Sequence, residues 1–250
     1  MGGFFRLRVR PGVVLAAVLA VAIPAEVVLR WRGGPGIAAA LAQRLSPRAT
    51  VRERVDRYEA AVRARLAGDL QRAGVAWPPR GVWLVALKTE RVLRVYVAGA
   101  DGRPRRLREY PILAASGRVG PKLREGDLQV PEGIYGVESL NPNSRYHLAL
   151  RVDYPNADDR LHAAQEGRRG LGGDIMIHGS SASVGCLAMG DEAAEDLFVL
   201  AARAGVSRVR VWIAPLDLRA HPGWVAPPGT PGWMAGRYRA LREAMATLPR

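Results

Sequence analysis

The sequence predicts a mainly β fold of the α+β kind, with a helix near the N-terminus, a body of short strands and a helix following a single cysteine. Three observations carry this. Apolar residues at Val51, Val55, Tyr58, Val62, Leu66 and Leu70 recur in steps of three and four, which puts them on one helical face. Between Gly81 and Ile213, β-branched and aromatic residues come in short runs separated by turn signals. The 28 glycines and 18 prolines cluster where those turns would lie, as short strands require and a helix bundle does not.

The elements follow in order. Arg6, Arg8 and Arg10 precede an apolar run from Val13 to Leu29, interrupted by Pro24 and Glu26. A basic flank before an apolar stretch is the order of a signal peptide or signal anchor. Ala20-Val21-Ala22 offers a small-residue cleavage site, and cleavage and retention are both open. Residues 1–32 are therefore assigned to export, 33–79 to a linker and amphipathic helix, 80–215 to the main folded domain and 216–250 to a tail rich in Pro and Trp. Gly74 and Trp77-Pro78-Pro79 end the first helix. Gly81–Ala98 reads as a β-hairpin turning at Lys88-Thr89-Glu90, and Ala100–Arg103 as a further turn. Strands are expected at 110–116, 133–139, 146–152 and 174–178, where Asp174-Ile-Met-Ile-His178 ends at a histidine. Asp191–Ala204 reads as a helix with Asp191, Glu192, Glu195 and Asp196 toward its positive end. Val206–Ile213 alternates as a strand, and a short basic helix spans about Met234–Ala246.

With 37 Lys and Arg against 23 Asp and Glu, the chain carries a net charge of +14. Nucleic acid, an anionic membrane surface and an anionic wall polymer all suit such a balance, as does arginine used simply on solvated faces. Zinc-finger spacing, an aromatic RNP signature and a helix-turn-helix pattern are all missing, so nucleic acid is not expected as a partner. No His, Asp or Glu pair has metal-ligand spacing, and neither metal nor cofactor is expected. One cysteine excludes an intramolecular disulfide.

That cysteine lies in the most informative stretch, Ile177–Met189: I-H-G-S-S-A-S-V-G-C-L-A-M. A strand delivers His178, a loop of small residues follows, and Cys186 comes just ahead of a helix. A free thiol is mostly protonated near neutral pH, and a nearby imidazole that takes its proton makes the Cys–His pair of covalent acyl transfer. Gly185 permits close backbone approach, and the amides of Val184, Gly185 and Cys186 are candidates to face a developing oxyanion. A buried cysteine packed as a small hydrophobe, beside a histidine satisfied by a carbonyl, fits the same spacing.

Several segments together narrow the choice: Ser116-Gly117, then G-P-K-L-R-E-G-D at 120–127, V-P-E-G-I-Y at 130–135, L-N-P-N-S-R-Y-H at 140–147, Y-P-N-A-D-D-R at 154–160, and I-M-I-H-G with S-V-G-C-L-A-M. In this order, from about Lys88 to Ala204, they resemble the L,D-transpeptidase catalytic domain (YkuD type), in its YafK-like subgroup. The resemblance implies an L,D-transpeptidase-like β-sandwich or barrel. It implies a cysteine nucleophile that attacks a peptidoglycan stem peptide between an L-centre and a D-residue. Cys186 matches the nucleophile, His178 the base, Gly179 the residue whose carbonyl orients the imidazole, and Ser183 the small hydroxyl residue before the nucleophile turn. Most of the family carry Ser-His-Gly-Cys and an Arg two residues after the cysteine. Here those positions are Val184 and Ala188, a departure shared by the subgroup, and water then becomes a rival to the acceptor amine. The resemblance implies the bacterial cell envelope as location, with stem peptides as partners, wall-attached protein as a further one, and membrane anchoring through the N-terminus. An amidase that frees diaminopimelate-linked protein and a non-catalytic wall-binding module are the alternatives.

Lys122, Arg124, Arg145 and Arg151 are candidates to hold substrate carboxylates, since guanidinium matches carboxylate bidentately; a solvated basic surface is their plain alternative. Tyr135 and Tyr146 line a groove or pack in the core, and His147 is structural. Trp212, Trp224 and Trp233 either cover one side of the sheet or form a wall- or membrane-facing surface.

Overall fold

A computed structural model describes residues 48–249 apart from 182 and 184. The N-terminal apolar run lies outside these residues. No helix among the described residues is long and apolar enough to cross a membrane.

The first helix, α1 (Val51–Ala73), starts at a capping box. Thr50 accepts from the Glu53 amide at 3.2 Å, and the Glu53 carboxylate accepts from the Thr50 amide at 2.6 Å. It stops at Gly74 in the left-handed region. Val55, Val62, Leu66 and Leu70 form the buried face, as the periodicity predicts.

Among the described residues, nine strands form one bent sheet: β1 (Val82–Leu87), β2 (Val92–Ala98), β3 (Pro104–Pro111), β4 (Ala114–Ala115), β5 (Gly133–Ser144), β6 (His147–Val152), β7 (Met176–His178), β8 (Leu187–Ala188) and β9 (Val209–Ala214). Their order across the sheet is β3-β2-β1-β9-β5-β6-β7-β8-β4. The bend is made by β5. Its first residues, Gly133–Gly136, pair with β9, and the stretch from Val137 to Ser144 pairs with β6 through two register shifts. One long strand thus belongs to both halves.

Burial alternates along the central strands. Val82, Leu84 and Ala86 of β1, with Val209, Val211 and Ile213 of β9, face a core shared with α1 and α3 (Asp191–Ala204). α3 buries Leu197, Phe198, Val199 and Leu200 together, so apolar residues surround it and it is the central helix. The other face presents Val85, Leu87, Trp212 and Ala214 to a second core containing Leu218, Met234, Tyr238, Leu241 and Met245. The last of these come from α4 (Met234–Ala246). Trp212 is buried, and Trp224 and Trp233 pack against this core. The tail therefore covers one side of the sheet.

Two expectations need correction, and one helix falls where no element is expected. The strand expected from Tyr110 begins at Pro104, because Arg105, Arg106 and Arg108 on an edge strand hide its apolar alternation. The Y-P-N-A-D-D-R segment contains a helix, α2 (Ala157–Gln165), opened by a capping box between Asn156 and Asp159. Cys186 precedes a two-residue strand, β8, and the helix begins only at Asp191.

Candidate active site

Two short strands deliver the Cys–His pair. β7 and β8 lie side by side in parallel, with Ile177 opposite Leu187 and His178 opposite Ala188. Cys186 immediately precedes β8. By the register of β7 and β8, position 186 comes level with Met176, two residues from His178 along the neighbouring strand.

His178 is 2% exposed. Its Nδ1 lies 2.6 Å from the carbonyl oxygen of Gly179. A carbonyl only accepts, so Nδ1 carries a proton, and in the neutral ring the lone pair is on Nε2. Burial pushes the imidazole below the ordinary histidine pKa, and the bond to Gly179 opposes that shift. Tyr146, 43% exposed, stacks on the ring with centroids 4.7 Å apart at 26°. Gly179 fits because it has no side chain: a Cβ there would lie 2.8 Å from the Tyr146 carbonyl and 2.5 Å from Asp191 Oδ1.

Around Cys186 the polar groups are satisfied internally. The thiol donates to the carbonyl of Asp174 at 3.5 Å, and among the described residues no hydrogen bond joins it to the imidazole. Burial raises the thiol pKa, a backbone hydrogen bond from Met176 opposes that, and the charges of Asp174 and Lys122 act in opposite senses after it. Both shifts favour the uncharged forms, thiol and neutral imidazole. Ser183 Oγ accepts from the Cys186 amide at 3.0 Å and donates to the Cys186 carbonyl at 2.6 Å. Gly185, at φ +81°, donates its amide to Ser116 Oγ at 2.5 Å, and Ser116 donates to Leu128 O at 2.7 Å. The Gly185 and Cys186 amides, expected to face an oxyanion, each have a serine hydroxyl as acceptor in this structure. Secluded amides need an acceptor, and two serine hydroxyls supply one. Val184 lies outside the described residues.

The candidate binding residues separate. Lys122 is buried and spent within its own loop, donating to Asp127 Oδ1 at 2.6 Å and Arg124 O at 2.9 Å. Arg151 lies 2.8 Å from Glu138 and 3.0 Å from Asp174. Arg145 is exposed in the β5–β6 turn next to Tyr146, and Arg124 is also exposed. Tyr135 is a core residue, with its hydroxyl 3.3 Å from Asp159. His147 is structural: Nε2 lies 3.0 Å from Glu195, and its ring meets Tyr58 edge-on.

Two contributors escape sequence reasoning. Ser116 stands in a quoted segment, yet only the β4–β8 pairing brings it to the cysteine loop. Asp191 reads as a helix N-terminal acid, while its Oδ1 accepts from the Ser180 amide at 2.7 Å. No local signal marks either contact.

Comparison with known proteins gives the family. Residues 81–231 match the YkuD family, described as the L,D-transpeptidase catalytic domain. The YafK proteins of Escherichia coli, strains K12 and O157:H7, each named as a proposed L,D-transpeptidase, are 37% identical over 142 residues. The match covers 55% of this chain and 55% of each relative, so the chain spans about half the length of the curated relatives it matches. Among solved structures, the helical cell shape determining protein Pgp2 from Campylobacter jejuni is similar at 26% identity with a TM-score of 0.44, covering 60% of this chain and 55% of that one. Bd1075 of Bdellovibrio bacteriovorus is similar at 19% identity with a TM-score of 0.39, covering 58% and 52%. With the matched segment taking in more than half of its length, the chain belongs to the YkuD family of L,D-transpeptidase catalytic domains.

Proposed function

We propose that this protein is a peptidoglycan-modifying acyl-transfer enzyme of the bacterial cell envelope, with Cys186 as nucleophile and His178 as base. The observation that carries the reading is the fixed tautomer of His178. With Nδ1–H committed to Gly179 O, Nε2 is left as an acceptor, on a strand paired with the one that Cys186 leads into.

In this mechanism the thiol leaves the Asp174 carbonyl by rotation about its Cα–Cβ bond and passes its proton to His178 Nε2. Sγ attacks the stem-peptide carbonyl carbon, and the carbon–sulfur bond forms as the oxygen takes the negative charge. That oxyanion competes with Ser116 and Ser183 for the Gly185 and Cys186 amides, the groups best placed to hold it. Collapse breaks the carbon–nitrogen bond, and the imidazolium protonates the departing amine. An acceptor amine, deprotonated by His178, then attacks the thioester and releases the thiol. Tyr146 and exposed Arg145, at one turn beside the base, are suited to line the substrate groove and meet a carboxylate. Lys122 contributes through the loop it braces with Asp127.

A hydrolytic outcome is favoured by one feature. Ala188, in the position where most of the family carry arginine, is fully buried and offers no cation to an acceptor's carboxylate. Water would then resolve the thioester, as in an amidase acting on diaminopimelate-linked protein or peptide.

The test is mass spectrometry of muropeptides after incubation of the full chain with peptidoglycan, alongside Cys186→Ala. Cys186-dependent dimers linked through diaminopimelate mean transpeptidation, and Cys186-dependent shortened stems or freed attachments mean hydrolysis. Fragments bound but unchanged by both proteins would refute the enzyme in favour of a wall-binding module.

A further inference from the structure

We infer that Asp191 is a positioning residue for the base, acting on His178 through the peptide bond between Gly179 and Ser180. The inference rests on reading His178 as the base.

Two hydrogen bonds meet on one peptide unit. Its carbonyl, Gly179 O, accepts from His178 Nδ1–H at 2.6 Å. Its N–H, on Ser180, donates to Asp191 Oδ1 at 2.7 Å. In a trans peptide the two groups point to opposite edges, so the unit bridges the carboxylate to the imidazole. The peptide is also a polarisable resonance system. A carboxylate on its N–H draws electron density toward the carbonyl oxygen, and cooperative strengthening of this kind is about 10–30% per bond. A more basic carbonyl holds the imidazolium better than the neutral ring, which offsets the burial that weakens His178 as a base.

The local construction fits this role. The carboxylate oxygen lies 2.5 Å from where a Gly179 Cβ would be, so it uses space that only glycine leaves. Ser180 sits at φ +62°, a left-handed conformation that a residue other than glycine seldom adopts without support. It is held there by the Asp191 contact and by the Gly190 amide donating to Ser180 O at 2.9 Å. On the other side, Gly179 donates its amide to Leu148 O at 3.2 Å. No side chain caps the start of α3, so Asp191 is directed at the loop rather than at its own helix. Its neighbour Glu192 shares the first turn of α3 and supplies the control.

The experiment follows His178 by NMR titration of the full chain, together with the pH profile of Cys186 alkylation by iodoacetamide. Asp191→Ala lowers the His178 titration point and slows alkylation about threefold to tenfold at neutral pH. Asp191→Asn keeps an acceptor without the charge and falls between Ala and the parent, which decides the matter if the Ala variant folds poorly. Glu192→Gln, which removes the same charge one residue away, leaves both readouts unchanged. A His178 titration unmoved by either Asp191 variant, or moved equally by Glu192→Gln, overturns the inference. The titration needs no turnover, so a protein inert toward peptidoglycan would sink the proposed function and leave this test standing.

Discussion

Replacing Glu132 by glutamine should destabilise the fold far more than an isosteric change suggests. Glu132 is wholly buried. One of its carboxylate oxygens lies 3.0 Å from Lys88 Nζ and accepts from the Gly120 amide at 2.8 Å. The other accepts from Tyr238 of α4 at 2.7 Å. Removing one partner of a buried ion pair costs about 3–5 kcal/mol, because the remaining charge is stranded. Lys88 keeps the carbonyls of Arg118, Gly120 and Val130 within 2.6–3.3 Å, which argues for the lower end, about 3 kcal/mol. In a domain of this size each kcal/mol moves Tm by about 2–4 °C, so the expected fall is about 6–12 °C. Burial already lowers the Lys88 pKa, with Glu132 as the leading opposing influence. In the variant the unfolded chain binds the lysine proton more tightly than the folded one, so the deficit narrows as pH rises toward the ordinary lysine value. Adding Lys88→Met to Glu132→Gln should recover part of the loss. Scanning calorimetry at several pH values reads all of this. A Tm change under about 2 °C near neutral pH, or a deficit that widens with pH, would refute the reasoning.

Three further outcomes are expected. Gly179→Ala forces a Cβ against the Tyr146 carbonyl and Asp191, so Cys186-dependent turnover should fall at least about tenfold; circular dichroism checks that the fold persists, and unchanged turnover would refute the steric account. Tyr146→Ala uncovers the His178 ring, and with less desolvation the imidazole pKa should rise toward the ordinary histidine value. NMR titration reads that shift, and a downward movement would contradict it. The third concerns pH: burial holds the His178 pKa low and the Cys186 pKa high, so alkylation at Cys186 should retain its base-assisted rate below pH about 6.5, the usual histidine value, and rise further only in the alkaline range. An acid limb above that value would contradict the burial argument.

Much of this architecture is legible in the chain because its signals are local. The α1 stripe from Val55 to Leu70, the alternation of β9 and the apolar content of β7 each follow from burial on one or two faces. His178 and Cys186 are legible as a pair because only seven residues lie between them, in a loop of small side chains. The charged edge strand β3 was less readable, since half of its residues face water or ion-pair partners such as Asp69 and Glu109. Ser116 and Asp191 join the site through sheet pairing and a helix start, across 69 and 11 residues of sequence. Lys122 shows the converse: a cation in a suggestive motif turns inward to Asp127, a partner that composition alone does not single out.

The account stands or falls on a covalent bond at Cys186. The full chain and Cys186→Ala should be exposed to a carbapenem-type acylating agent and to peptidoglycan stem peptide, then examined by intact mass and peptide mapping. The account predicts one adduct, on Cys186, absent from the alanine variant and formed more slowly when His178 is replaced by Ala. A chain that binds stem peptide yet takes up no mass at Cys186 with either reagent would contradict it.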